Sequence, residues 1–337
     1  MTTPAPVQSV LARYAELTRD AMAPYLAAGE PACYLYDLVR DYPARPGKGI
    51  RPALLLATCQ AVGGTLRAGL PVAVAVELLH NAFLVHDDIE DGSVRRRGAP
   101  TLHRLHGVEL AINAGDALAA LALQPLRAEP GLGNRVSRML LDELSATVRH
   151  TTEGQALELG WRRHAVIGLD AADYVRMVAK KTCWYTTVAP LRMGALAGSR
   201  SGGRSAALTR FGLHLGLAFQ VRDDLLDLDG DAAADKDRYA DLREGKHTLM
   251  LIHLLAESAP KDRARLVEQL TAPRPGSEAW MLDLMHRHGS LDFARDFAAG
   301  VSAAAYDAFD EAFRGLPESE HLDFLRRVIP YMVDRRH

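Results

Sequence analysis

Apolar residues recur along this chain at helical rather than strand spacing. Leu208, Phe211, Leu215 and Phe219 fall on one face of a helix, as do Val175, Val178, Thr182 and Tyr185. Alanine and leucine dominate, and few segments show period-two alternation or β-branched clusters. Breaks fall at Pro43–Gly49, Gly63–Gly64, Gly92, Glu129–Gly133, Gly198–Gly203, Gly230–Asp235 and Pro273–Gly276. Between them the pattern predicts about ten helix-length stretches, what a large helical domain would carry. No fixed-period repeat or low-complexity linker divides the sequence. The expectation is an all-α, single-domain protein over residues 1–337.

Composition narrows the function without naming it. Of 337 residues, 48% are hydrophobic and 24% charged, ample for a sizeable core, and the net charge is -2. So balanced a chain carries no overall field for nucleic acid or an anionic membrane. An anionic ligand must be held by local groups. Cys33, Cys59 and Cys183 are odd in number and far apart, forming neither a disulfide framework nor a metal pair. Residues 1–6 lack the charged and apolar regions of a signal peptide. The stretches Ala53–Val62 and Ala111–Leu123 are too short or too polar to span a bilayer. No membrane span and a cytoplasmic location are expected.

Two acidic clusters stand out. In Glu77-Leu-Leu-His-Asn-Ala-Phe-Leu-Val-His-Asp-Asp-Ile-Glu-Asp91 an apolar helix runs into Asp87, Asp88 and Asp91. Helical geometry projects Asp87 and Asp91 together, with Asp88 beside them. Asp223, Asp224 and Asp227 repeat that spacing after Gly216-Leu-Ala-Phe-Gln-Val-Arg222. Like charges on one face repel, and near a helix C-terminus the dipole adds to the penalty. A hard cation removes it, and magnesium is held by one or two carboxylates together with phosphate oxygens. One such cluster is usually a solvated helix end; two, each with basic residues downstream, point to a metal–diphosphate site.

The basic residues lie in Gly47-Lys-Gly-Ile-Arg-Pro52, Arg96-Arg-Gly-Ala-Pro-Thr101, Lys180-Lys-Thr182 and Glu244-Gly-Lys-His-Thr248. Arginine grips phosphate bidentately and lysine acts as a point charge. With Leu78-Leu-His-Asn81, Glu153-Gly-Gln155 and Phe219-Gln-x-x-Asp-Asp-Leu-Leu-Asp227, these motifs stand in the order of the trans-polyprenyl diphosphate synthases. From about Gly47 to Lys246 the chain resembles that family. The stretch Lys181-Thr-Cys-Trp-Tyr-Thr-Thr-Val-Ala-Pro190 is most similar to short-chain synthases of actinobacterial type.

The resemblance implies an all-helical bundle of the isoprenoid synthase type with a central cavity, and a homodimer. It implies that Asp87, Asp88, Asp91, Asp223, Asp224 and Asp227 bind magnesium, about three ions, bridging to an allylic diphosphate (dimethylallyl, geranyl or farnesyl). Arg96, Lys181, Thr182, Gln220, Lys236 and Lys246 would contact the same diphosphate. Lys48, Arg51, His80 and Arg97 would hold isopentenyl diphosphate. His80 lies seven residues before Asp87, on roughly the same helical face. Three departures are visible: Gly49 where the family often has arginine, Glu158 where aspartate is common, and an irregular loop over Gly230–Asp241. Arg335 and Arg336 are similar to basic tails that close over the site in some relatives, but read first as surface charge.

The implied chemistry is ionisation of the allylic diphosphate, attack on the carbocation by the double bond of isopentenyl diphosphate, and loss of a proton to the departed diphosphate. No side-chain base is assigned. Phe83, one turn before Asp87, and its small neighbour Ala82 are the candidate floor of the pocket for the growing chain, with Trp184 or Tyr185 as the alternative. In the family that the chain resembles, aromatics at both positions go with farnesyl diphosphate and small residues at both with long chains. The resemblance thus implies geranylgeranyl diphosphate as product, with farnesyl and geranylfarnesyl diphosphate as alternatives. A class I terpene cyclase would not need the second basic set. A regulatory subunit of a two-component synthase would have a degraded aspartate motif, and both motifs are complete here.

Overall fold

A computed structural model describes residues 5–128, 131–228, 239–272 and 276–333. The described chain is helical almost throughout, as the periodicity predicts. The principal helices are α1 (Val7–Met22), α2 (Asp37–Ala44), α3 (Ile50–Ala61), α4 (Leu66–Glu90), α5 (Val108–Leu121), α6 (Gly133–Arg163) and α7 (Ala171–Val178). A π-helical segment, Ala179–Val188, leads into α8 (Ala189–Ser199) and α9 (Ser205–Leu228). Then come α10 (Ala240–Glu244), α11 (Leu249–Glu257), α12 (Pro260–Thr271), α13 (Glu278–Arg287), α14 (Ser290–Ala312) and α15 (Glu320–Val333). Strands β1 (Arg95–Arg96) and β2 (Ala99–Pro100) form a minimal antiparallel hairpin that the apolar pattern did not announce. Two residues per strand are too few to show alternation.

Contacts group the chain into two compact units. The first comprises residues 1–147, 185–209 and 311–328, the second residues 148–184, 210–310 and 329–337. In the first, α3 packs on α4 and α8, α4 packs on α5, and α1 lies across α3 and α4. Leu54, Leu55 and Leu56 are all fully buried, so α3 is apolar on every side. Gly194 makes the α3–α8 approach possible, because a Cβ there would fall 2.3 Å from the Leu55 carbonyl oxygen. Helix α4 has the length and apolarity of a membrane span, but 67% of its apolar window is buried inside the protein. It is a core helix.

The end of α4 explains the setting of the first aspartates. Asp91 N–H donates to the Asp87 carbonyl at 2.9 Å, and Ser93 N–H reaches back to that of Asp88 at 2.9 Å. Gly92, at φ +65°, makes that reversal without a Cβ clash. In the second unit, Tyr174, Met177, Val221, Leu225, Leu251 and Leu284 belong to one buried core. Asp170 and Asp173 form a reciprocal capping box that starts α7. On α6, a Cβ at Gly154 would fall 2.2 Å from the backbone nitrogen of Lys181. The glycine of Glu-Gly-Gln thus admits the π-helical segment's backbone, and helices of this wider kind often mark functional sites.

Candidate active site

In the first unit the three aspartates have distinct surroundings. Asp88 is fully buried and accepts hydrogen bonds on both oxygens, from Tyr42 Oη on Oδ2 and from Arg96 Nε (2.9 Å) and Nη2 on Oδ1. The Arg96 Nη2 also lies 3.6 Å from Asp87 Oδ2. Asp87 and Asp91 are partly exposed. Burial opposes charge on Arg96, but its bonds to Asp88 and the charges of Asp88 and Asp87 prevail and raise its pKa. Burial, then the bond to Asp88, raises the Tyr42 hydroxyl. Tyr42 Oη also accepts from the Leu102 N–H at 3.3 Å, so it stays a neutral donor tying α4 to the chain beyond the hairpin.

The hairpin turn carries the next arginine. Arg97 (φ +52°) and Gly98 (φ +79°) are both left-handed, as a two-residue turn between twisted strands requires. Arg97 Nη1 donates to the Arg45 carbonyl at 3.3 Å. A Cβ at Gly47 would sit 2.9 Å from Arg97 Nη2, so the first glycine of Gly-Lys-x-x-Arg-Pro leaves room for this guanidinium. Lys48 is exposed on the same turn. The departure at Gly49 has a local cause: its φ is +63°, and a Cβ would meet the Ala15 methyl at 2.6 Å. No arginine fits that position in this chain.

Arg51 and His80 form the buried end of the basic set. Arg51 donates through Nη1 to His80 Nε2 (3.2 Å) and through Nη2 to Thr186 Oγ1 (2.9 Å), with its Cζ 4.4 Å from the Tyr185 ring centre. Accepting on Nε2 leaves the His80 proton on Nδ1. Burial first, then the charges of Arg51, Arg97 and Arg96, push the His80 pKa well below its ordinary value, so the ring is neutral. His80 Nδ1 and Arg51 Nε are both buried without a hydrogen-bond partner. Two such donors beside several guanidiniums suit a polyanion such as diphosphate. Arg97 is pulled down first by burial and then by Arg51, Arg96 and Arg45, with the Glu77 carboxylate opposing. An arriving anion would relieve that repulsion.

Phe83 meets the Tyr185 ring edge-on, with centroids 5.6 Å apart, and Ala82 is buried beside it. Tyr185 also lies 5.9 Å from the His80 ring. Phe83 and Tyr185, treated as alternatives in the sequence, therefore form one aromatic wall. Trp184 is elsewhere engaged, stacked on His150 at 3.8 Å.

The second unit holds the other aspartates in a polar chain of its own. Thr182 Oγ1 donates to Gln220 Oε1 (2.9 Å), Gln220 Nε2 donates to Asp224 Oδ1 (2.6 Å), and Tyr174 Oη donates to Asp224 Oδ2 (2.7 Å). Burial raises the Asp224 carboxyl well above the usual range; the charges of Asp241 and Asp223 add to this, while the two donors oppose it. Asp227 accepts from the Ala240 and Asp241 N–H groups, each at 3.2 Å, and so fixes the start of α10. Asp223 is partly exposed. Lys181 pairs with Glu158, and the longer arm of glutamate in place of aspartate makes that contact. Lys246 lies 2.8 Å from Glu244 and 3.4 Å from Asp241. Lys236, most of the Gly230–Asp241 loop, Arg335 and Arg336 lie outside the described residues.

Among the described residues no three His, Cys, Asp or Glu side chains gather into a closed ligand set. A divalent ion at these carboxylates would complete its shell with phosphate and water oxygens, as magnesium does. The donor chemistry therefore fits. Tyr42, Tyr174, Arg45 and Thr186 were missed in the sequence, since nothing in their local spacing announces partners so far away along the chain.

Comparison with known proteins agrees with this chemistry. Residues 33–285 match the family model described as polyprenyl synthetase. A geranylgeranyl diphosphate synthase of Methanosarcina mazei is 34% identical over 309 residues, covering 90% of both chains. The crystal structure of geranylgeranyl pyrophosphate synthetase from Pyrococcus horikoshii superposes with a TM-score of 0.87 at 31% identity, covering 97% of this chain and 99% of that one. That from Corynebacterium glutamicum, complexed with isoprenyl diphosphate and magnesium, gives 0.86 at 26% identity, covering 97% and 99%. The chain belongs to the polyprenyl synthetase family and has its all-α isoprenoid synthase fold. It is an enzyme, a prenyltransferase of that family.

Proposed function

We propose that the enzyme condenses isopentenyl diphosphate with an allylic diphosphate, in the presence of magnesium, to give geranylgeranyl diphosphate. The observation that carries this reading is the divergence of two adjacent arginines from one hairpin. Arg96 turns to Asp87 and Asp88, while Arg97 turns back over the Gly47 turn, among the charges of Arg51 and Arg45. A single prenyl substrate would need only the first.

In this reading Asp87 and Asp91 of the first motif and Asp223 of the second, each partly exposed, carry the metal, about three ions in all. The magnesium supplies charge neutralisation for the leaving diphosphate. Arg96, Lys181 and Lys246 neutralise the same group from the protein side. Asp88, Asp224 and Asp227, each spent on protein donors, hold their neighbours in place. Arg51, His80, Arg97 and Lys48 bind isopentenyl diphosphate and orient its double bond. Neutral His80 donates from Nδ1. Phe83 and Tyr185 close the apolar end and set the product length.

A homodimer is part of the same proposal. Leu105, Val108, Ile112 and Leu123 are exposed on and beside α5, an apolar stripe that a second copy would cover. A cytoplasmic location accords with a balanced charge and a mostly buried α4.

The test is product analysis with isopentenyl diphosphate, magnesium and dimethylallyl, geranyl or farnesyl diphosphate in turn. Geranylgeranyl diphosphate should accumulate from each primer. Rearrangement of one prenyl diphosphate without consumption of isopentenyl diphosphate would overturn the proposal in favour of a cyclase.

A further inference from the structure

We infer that Arg45 is a positioning residue for both diphosphate subsites, acting through the hairpin that carries Arg96 and Arg97. The inference rests on the roles proposed above for those two arginines. Arg45 follows directly on α2, and its backbone N–H closes that helix on the Tyr42 carbonyl at 3.1 Å. Its guanidinium then spans the hairpin. Nη1 donates to the Arg96 carbonyl at 2.8 Å and Nη2 to the Pro100 carbonyl at 2.7 Å, one on each strand. Nε is fixed by Asp41 Oδ1 at 2.7 Å, and the Cζ lies 4.5 Å from the Tyr42 ring centre.

Each contact has a physical consequence. A two-stranded hairpin is marginal by itself, and this one has two residues per strand. Its turn also holds Arg97, a residue with a Cβ, in the left-handed region that such residues rarely adopt. The planar guanidinium serves as a third strand, satisfying carbonyls on both sides of the turn at once. Lysine has no such fork and can reach only one of them. The Arg45 backbone meanwhile accepts from Arg97 Nη1, so the same residue aims the second arginine. Tyr42, beneath the guanidinium, donates to Asp88, which holds Arg96. Arg45 thus sets both arginines from one point, although it touches neither substrate in this reading.

The experiment is steady-state kinetics of full-length Arg45→Met, Arg45→Lys, Asp41→Asn and Arg97→Met with isopentenyl and farnesyl diphosphates. Arg45→Met should raise the KM for both substrates by about tenfold, the scale of a lost charge-assisted hydrogen bond, with kcat changed less. Arg45→Lys should recover part of both KM values together. A merely structural role would lower the amount of active enzyme and leave both KM values alone. Arg45→Met with a wild-type melting temperature and both KM values within about twofold of wild type would overturn the inference. Should Arg45→Met not fold, Asp41→Asn decides: a parallel rise in both KM values supports the positioning role and unchanged values refute it. Arg97→Met separates the two layers of argument. If it raises the isopentenyl diphosphate KM and Arg45→Met does not, only the role of Arg45 fails. If Arg97→Met has no effect, the subsite assignment itself is wrong.

Discussion

Replacing Asp88 by asparagine tests whether the middle aspartate of the first motif organises the protein or binds metal. The carboxylate is fully buried and answers three donors, from Tyr42 and Arg96. Asparagine keeps the shape and one acceptor, but it removes the charge and turns an amide toward a donor. Breaking a buried ion pair from one side costs about 3–5 kcal/mol. The Arg96 side chain retains 29% exposure, so water recovers part of this, and a loss of about 2 kcal/mol is expected. For 337 residues the unfolding entropy is about 0.7 kcal/mol/K, so the midpoint should drop by about 3 °C. The assay is thermal unfolding in metal-free buffer, with Asp87→Asn and Asp91→Asn alongside. Those two, partly exposed, should lose less than Asp88→Asn, because water replaces more of what each carboxylate gives up. They should instead weaken magnesium activation. Asp88→Asn melting at the wild-type temperature without metal would refute the organising role.

Phe83→Ala should lengthen the product by opening the wall that Phe83 shares with Tyr185; an unchanged product profile from a folded, active variant would remove Phe83 from that role. Gly154→Ala should abolish most activity and destabilise the protein by about 2 kcal/mol or more, because its methyl group has backbone at 2.2 Å and nowhere to go. Wild-type stability and turnover in that variant would show that the close approach is not needed. Burial holds His247 below its ordinary pKa, only partly offset by its bond to the Val166 carbonyl. Once unfolded, it takes up a proton near pH 6.5. Its contribution is therefore complete above that pH and declines as pH falls. Wild-type protein should lose more stability than His247→Gln between about pH 7 and pH 5, and equal slopes would contradict the assignment.

Much of this protein is local and was legible in order along the chain. Helical periodicity gave α7 and α9, because a helix packed on one side presents apolar residues every third or fourth position. The aspartate triplets fall at helix ends, as the motif spacing implied, and Gly92 supplies the left-handed turn after the first. The basic motifs also held together: Arg51, His80 and Arg97 come from three separate stretches and share one electrostatic environment. The motif glycines were legible as breaks, whereas their physical reasons were not. Gly47, Gly49 and Gly154 are each explained by an atom from a distant segment.

The sequence by itself determined which groups this protein has and which face of which helix carries them, because side-chain type and helical period are written locally. Only the tertiary structure decided which partners each aspartate meets. In each motif the spacing is the same, yet Asp88 answers to Tyr42 and Arg96, Asp224 to Tyr174 and Gln220, and Asp227 to the start of α10. A hydrogen bond is made by whichever donor folding brings within reach. The separation of 46 positions between Tyr42 and Asp88 leaves no trace of that meeting in the order of the chain.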